Sequence, residues 1–421
     1  MPLPAFTNLR VGFYLAWRQL RRASAWTTSL IVFVMLLTFL NLVVVTGILV
    51  GIVQGITDQY RILETGDVVV SALSTKEYID NSQEVIALIR KLPGVAAVTA
   101  RSTAGGTIEA NYQNRADLTE KPNETGATIT GVDPAAEEAF SGLAQDVREG
   151  AFLSPGDYDA VVLGSQFVDR YSFGDMPGLT PLRNVYPGTK IRVTVNGSTR
   201  EMVVKGILAT KANSPLALKV FMPGDELRQL TGRTDENVDQ IAIRLLPGVD
   251  AAAFRDILLR SGVGANAKVQ TFADAIPNGI AEVTGTFATI GNGISSIGLV
   301  VAAITIFIVI FINAITRRKF IGILKGIGIS GAAIELSYIF QSLFYAAIGS
   351  ALGFAIIYGF MVPYISAHPI DLPISNAILV APLDGTVVRI VILIATTVIA
   401  GYLPARMIVR KNTLDSILGR T

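Results

Sequence analysis

Hydrophobic and polar positions along this chain follow two regimes. Residues 26–57, 283–316, 336–370 and 390–405 carry no Asp, Glu, Lys or Arg. About 20 helical residues cross a ~30 Å hydrocarbon core, so the first three stretches span it outright. The fourth spans it if it begins near Leu383 and accommodates Arg389 close to its end. From residue 58 to 282 the periodicity changes to short alternating runs typical of strands. The pattern predicts an α-helical membrane domain of four transmembrane helices, with a large α+β extracytoplasmic domain inserted between helices 1 and 2.

Within the insertion, "DVVVSAL" (67–73), "SQEVIALIRKL" (82–92) and "GVAAVTAR" (94–101) read as strand, helix, strand. "DQIAIRLL" (239–246), "DAAAFRDILLRSG" (250–262) and "AKVQTFA" (267–273) repeat that order. These predict membrane-proximal βαβ units over 64–104 and 236–275, built from both chain ends around a strand-rich insertion at 105–230. "GVDPAAEEAF" supplies a helix start, with Asp133 as N-cap and Pro134 at the first helical position.

Composition agrees with a membrane protein: mean hydropathy is +0.50 and 16% of residues are charged, against about 25% in soluble domains. Charge then gives sidedness. Residues 57–282 hold 22 Lys/Arg and 29 Asp/Glu, a net −7, whereas the remainder holds 13 and 4, a net +9. Arg10, Arg18, Arg21 and Arg22 precede helix 1; Arg317, Arg318, Lys319 and Lys325 lie between helices 2 and 3; Arg406, Arg410 and Lys411 follow helix 4. The positive-inside rule puts all three groups, and both termini, in the cytoplasm, with the acidic insertion outside. The first apolar run is about twice a signal-peptide h-region and has no obvious cleavage site, so it reads as a span.

The expected organisation is a cytoplasmic amphipathic helix (1–25), helix 1 (26–57), the outer domain (58–282), helix 2 (283–316), a short cytoplasmic helix (317–332), helix 3 (336–362), an external loop (363–382), helix 4 (383–405) and a tail (406–421). Helices 1 and 2 would extend ~48 and ~51 Å, more than a bilayer needs, so part of each is expected to tilt or project as a stalk. Gly47, Gly51 and Gly55 in helix 1, and Gly349 and Gly353 in helix 3, have the small-xxx-small spacing that permits close helix approach.

Two cytoplasmic segments carry the candidate sites. In residues 6–25, Phe13 and Trp17 share an apolar face, with Arg18, Arg21 and Arg22 largely elsewhere, the pattern of a helix lying at the membrane interface. In "RRKFIGILKGIGIS" (317–330), Phe320, Ile321, Leu324 and Ile327 are read as one apolar face. A short amphipathic helix with no membrane to enter needs a protein partner. Replacing Ile323 or Leu324 with Asp is expected to release that partner without unfolding the chain.

Catalysis finds no support. The chain has no cysteine, one histidine and no G-x-x-x-x-G-K-[ST] phosphate loop, and Asp157, Asp159, Glu137 and Glu138 read as scattered surface charges. No catalytic, cofactor-binding or metal residue and no nucleic-acid partner is expected.

These features resemble the FtsX-like permeases of the MacB and LolC/LolE type, membrane subunits of mechanotransmitting ABC transporters. The resemblance rests on "RRKFIGILKGIGIS" and on "GYLPARMIVRKNTLDSIL" (401–418), with weaker support from "GVDP", "VVLGSQF", "PGTKIRV" and "VVKGIL". Phe320 departs from the family's usual Glu. The resemblance implies ATPase coupling through Arg317, Arg318, Lys319, Phe320, Ile321, Ile323, Leu324, Lys325 and Ile327. It implies a separate ABC-type ATPase that binds the ATP and Mg, a second permease copy or paralogue, and a periplasmic adaptor as a further partner. Export or extraction of a lipoprotein, lipid, peptide or drug is the implied function. The alternatives are a signalling subunit that regulates a cell-wall hydrolase, and a sensor or adhesin without an ATPase.

Overall fold

The computed structural model describes residues 5–114, 122–172, 178–208, 214–276, 278–372 and 376–410. Lys411 and the rest of the tail lie outside the described residues. The chain divides into a helical unit (1–53, 283–370, 377–421) and a β-rich unit (54–282, 371–376).

Among the described residues four helices are long and apolar enough to cross a membrane: Ala25–Thr65, Gly285–Thr316, Gly331–Ala367 and Leu383–Val409, here the first to fourth spans. The first span reaches into residues of the β-rich unit, and the second continues a helix that begins at Asn278. The first contains a π-helical turn at Asn41–Val45, and the third one at Ile357–Met361. Their common core is Met35, Phe39, Val43, Ile306, Ile310, Tyr338, Ile357 and Leu393, all buried. These aliphatic and aromatic side chains pack by van der Waals contact, since between helices in lipid the hydrophobic drive is largely absent.

The two glycine motifs receive different neighbours. Gly349 and Gly353 back onto Met35 and Phe39 of the first span, where a Cβ would lie within 2.5 and 2.4 Å of those side chains. This is a helix–helix approach. Gly47 and Gly51 instead face the extended segment that follows Ala377. A Cβ on Gly51 would stand 1.8 Å from the Ile378 carbonyl oxygen, and the Val380 amide donates to the Gly47 carbonyl at 3.2 Å.

The β-rich unit is built on one ten-stranded sheet: β1 (Val68–Ser71), β2 (Val95–Ala110), β3 (Glu124–Val132), β4 (Val147–Gly150), β5 (Ala160–Leu163), β6 (Lys190–Val195), β7 (Ser198–Leu208), β8 (Lys219–Pro223), β9 (Gln240–Leu245) and β10 (Lys268–Thr271). At one end, β10-β1-β9-β2 run mutually antiparallel. The amphipathic helices Ser82–Lys91 and Ala251–Arg260 supply Val85, Ile86, Ile89, Phe254 and Leu258 to the core beside these strands. At the other end β2, β3, β8, β5, β7 and β6 pair in a closed ring, because β6 joins both β2 and β7. Closure removes the exposed edges that an open sheet leaves. Ile108, Ile129, Val161, Leu163, Val193, Met202, Val204 and Val220 form the buried core at this end.

Strand β2 belongs to both ends. It runs through Gly105 and Gly106, where the sequence suggested a boundary. Gly106 is required there, since a Cβ would meet the Thr194 carbonyl oxygen at 2.5 Å. Asp133 caps the helix Pro134–Ser141 by accepting from the Ala135 amide at 3.0 Å.

Candidate functional site

The connection between the second and third spans is a helix at Arg318–Gly326. It starts where Arg317 leaves helical geometry (φ −100°, ψ 14°). Two residues past its end stands Gly328, whose φ of +94° suits a residue with no Cβ. Ser330 then caps the third span, accepting from the Ala333 amide at 3.2 Å.

Burial divides the residues assigned to partner coupling. Ile321 (4% exposed) and Leu324 (7%) join the core of the helical unit, whereas Phe320 (49%), Ile323 (52%) and Ile327 (71%) project outward. The expected grouping of Phe320, Ile321, Leu324 and Ile327 on one face is thereby corrected. At 100° per residue, 320, 323 and 327 align as one stripe and 321 and 324 as another. Leu324 is accordingly a core residue, and placing Asp there would bury a carboxylate. Lys319 flanks the outward stripe and is exposed, while Arg317 and Arg318 are half-buried. Lys325 turns back and donates from Nζ to the Val409 carbonyl at 2.7 Å, a cation on the last carbonyls of the fourth span that complements the helix dipole. The short helix is thus fastened to the bundle and presents one free apolar stripe.

The N-terminal helix, Ala5–Arg22, lies along the start of the third span. Gly12 abuts Leu336, Ala16 is buried, and Phe13 meets Phe340 edge-to-face at 5.6 Å. Gln341 donates to Gln19 at 2.8 Å and Ser330 to Asn8 at 2.6 Å. Leu15 and Leu20 pack against the bundle core, whereas Phe6, Leu9 and Trp17 are exposed, as are Arg18, Arg21 and Arg22. Arg21 sits 5.5 Å over the Trp17 ring.

A third feature went unread in the sequence. Glu137 is not a surface charge: it is fully buried and takes a two-point contact from Arg101, itself 1% exposed. Thr99 Oγ1 donates to the same carboxylate at 2.8 Å. The Arg101 guanidinium also donates from Nη2 to the Leu63 carbonyl at 2.8 Å and from Nη1 to the Glu64 carbonyl at 2.6 Å. Arg244 reaches the Ile62 carbonyl at 3.1 Å, Gln240 the Glu64 carbonyl at 3.2 Å, and Lys219 the Glu64 carboxylate at 2.6 Å. The last turn of the first span, whose carbonyls have no helical partners, therefore ends in a polar socket made by β2, β8 and β9. Burial disfavours the charged guanidinium, but the Glu137 and Glu64 carboxylates outweigh it and hold Arg101 above the ordinary arginine value. The available signal was the position of Glu137, three and four residues before Phe140 and Ser141 on a short helix, and so on their face.

Asp157 and Asp159 make ion pairs with Lys205 and Arg200 at the surface. Among the described residues no cluster of three His, Asp or Glu side chains is placed to hold a metal.

The profile of the MacB-like periplasmic core domain matches residues 28–260, more than half the chain, and that of the FtsX-like permease C-terminal region matches residues 292–413. The chain belongs to the FtsX/MacB-like permease family. Its relatives include an uncharacterized ABC transporter permease of Methanocaldococcus jannaschii, MJ1507, 23% identical over 288 residues that cover 67% of this chain and 68% of that one. The macrolide export ATP-binding/permease protein MacB 1 of Yersinia pestis bv. Antiqua is 24% identical over 307 residues, 70% of this chain and 44% of that protein. The match therefore spans less than half of the MacB relative. Among solved structures, the periplasmic region of MacB from Actinobacillus actinomycetemcomitans aligns with a TM-score of 0.37 and 15% identity, covering 52% of this chain and 94% of that one. By its two family profiles and its four apolar helices, this permease is a multi-pass membrane protein with a MacB-like periplasmic core domain.

Proposed function

We propose that this permease is the membrane subunit of an ABC transporter whose ATP hydrolysis resides in a separate chain, docked on Phe320, Ile323 and Ile327. The observation that carries this reading is the exposed apolar stripe on a helix otherwise fastened to the bundle. Exposed apolar side chains beside a cationic residue, on a loop between two spans, fit a helix-in-groove contact with a partner. ATP and Mg belong to that partner.

Displacement of the short helix is transmitted because Ile321 and Leu324 are part of the bundle core and Lys325 holds the Val409 carbonyl. The first span is a helix from Ala25 to Thr65, and its last carbonyls are gripped by Arg101, Arg244 and Gln240. Movement along that span would thus load the inserted α+β domain through charge-assisted hydrogen bonds. We assign this domain to the outer side, both termini to the cytoplasm, and the working unit to a pair of permease subunits with an adaptor outside. The work done is export or extraction of a lipoprotein, lipid, peptide or drug.

The test is affinity purification of the tagged full chain in detergent, with co-purifying proteins identified. Wild type is expected to retain an ABC-type ATPase, and Ile323→Asp to lose it while staying monodisperse. An ATPase held equally by both, or by neither, overturns the assignment.

A further inference from the structure

The N-terminal helix Ala5–Arg22 has three sides. At 100° per residue, Asn8, Gly12, Ala16 and Gln19 form the side turned to the third span. Phe6, Leu9, Phe13 and Trp17 form the next, and Arg10, Arg18, Arg21 and Arg22 lie on the third; both of these sides are exposed. Arg18, Arg21 and Arg22 stand three and four residues apart, a spacing that holds Cβ atoms about 5–6 Å from one another and makes like charges repel. Residues 1–57 contain no Asp or Glu, and among the described residues none of these guanidiniums meets a carboxylate. Three neighbouring cations without an acid call for anions the chain does not supply.

Two hydrogen bonds fix the height of the cluster. Ser330 to Asn8 and Gln341 to Gln19 both join residues 322 apart, so the helix runs alongside the third span with the same polarity and brings residues 18–22 level with residues 340–344. That is just inside the charge-free run that begins at Leu336. The first span starts three residues after Arg22, at Ala25, and its second residue, Trp26, is 81% exposed. Arg21 lies 5.5 Å over the ring of Trp17. Tryptophan at the end of a span marks the headgroup layer, and an arginine beside it reaches that layer with its stem on apolar surface.

We propose that Arg18, Arg21 and Arg22 form a site for the phosphates of anionic phospholipids, with Trp17 and Trp26 beside the upper acyl chains. The cluster stands at the foot of two helices long and apolar enough to cross a membrane and next to two exposed tryptophans, which is the setting of a lipid headgroup. Basic residues immediately flanking a span are complementary to an anionic leaflet. The site is separate from the stripe proposed to dock the ATPase and does not depend on it.

Trp17 and Trp26 are the chain's only tryptophans, so their fluorescence reads this site alone. The full chain is reconstituted in vesicles of equal parts phosphatidylcholine and phosphatidylglycerol, with brominated, quenching acyl chains carried by one lipid or by the other. In wild type, brominated phosphatidylglycerol is expected to quench more strongly than brominated phosphatidylcholine. Arg21→Gln with Arg22→Gln should lower that preference several-fold, and adding Arg18→Gln should abolish it. Salt at about 0.5 M should weaken the preference in wild type, because exposed charges are screened, which keeps the test open if the triple variant fails to fold. Equal quenching by the two lipids in wild type overturns the proposal. So does a preference that is unchanged in the folded double variant. An acidic protein that co-purifies with wild type and is lost from the same variants, with quenching equal throughout, would overturn it too and make that protein the source of the anions.

Discussion

Arg101 and Glu137 meet in the β-rich unit with Nε donating to Oε2 at 2.9 Å and Nη2 to Oε1 at 2.5 Å, both side chains removed from solvent. Removing one partner leaves the other charge buried without its closest counter-ion, which costs about 3–5 kcal/mol. Glu137→Met and Arg101→Met should each lower unfolding stability by that order in denaturant titration of the solubilised chain. The double variant Arg101→Met with Glu137→Met should lose much less than the sum. Additive losses would show that the two side chains act independently.

The two stripes of the short helix give opposite outcomes. Leu324→Ala should cost about 2–5 kcal/mol, because Leu324 is part of the bundle core. Ile323→Ala should change stability by no more than about 0.5 kcal/mol, because its side chain is half exposed. Thermal unfolding followed by intrinsic fluorescence separates them, and equal shifts would contradict the division of faces.

The sequence disclosed what depends on local pattern and missed what depends on distant partners. Charge-free runs marked the spans, alternation marked β6 and β7, a short apolar run marked β5, and Asp133 with Pro134 marked a helix start that the structure contains. The ring closure was illegible, because it depends on β2 continuing through Gly105 and Gly106 to reach β6, and glycine pairs ordinarily read as breaks. Which face of 318–326 turns inward was also hidden, since Ile321 and Ile323 are the same residue type and only the bundle tells them apart. Gly47 and Gly51 showed that something approaches closely, but not that it is an extended segment. Glu137 looked like a surface acid because Arg101, its partner, is 36 residues away.

Glycines in the spans should divide by what stands opposite them. Gly51→Val drives a side chain into the Ile378 backbone, and overpacking of this kind costs about 1–3 kcal/mol. Gly293 is helical with nothing within 4 Å of the position a Cβ would take, so Gly293→Ala should be neutral or stabilise by up to about 1 kcal/mol. Melting temperatures of the two variants are expected to move in opposite directions or with Gly293→Ala unmoved. A Gly51→Val protein as stable as wild type would remove the 377–381 segment from the first span.

Acid–base behaviour should trace to Glu226, which is 1% exposed and accepts the Asp159 amide on Oε1 at 2.7 Å. Its Oε2 has no hydrogen-bond partner among the described residues. Burial is the main cause that holds this carboxyl above the ordinary glutamate value; the Asp159 amide and Arg200 pull it down, and Asp159 and Asp157 push it up. The folded chain therefore keeps this proton to a higher pH than the unfolded chain, whose glutamate titrates near ~4.3. Between those two values the native state binds more protons, so stability falls as pH rises. The contribution is fully present below the unfolded value and lost as pH passes through the folded one. Glu226→Gln keeps the shape and abolishes the titration. The difference in unfolding free energy between variant and wild type should therefore widen in the variant's favour as pH rises from about 4 to about 7. Asp146 and Asp239 are also raised by burial, but they are common to both proteins and cancel in the difference. A difference that stays flat with pH would mean that Glu226 binds its proton equally in the folded and unfolded chains.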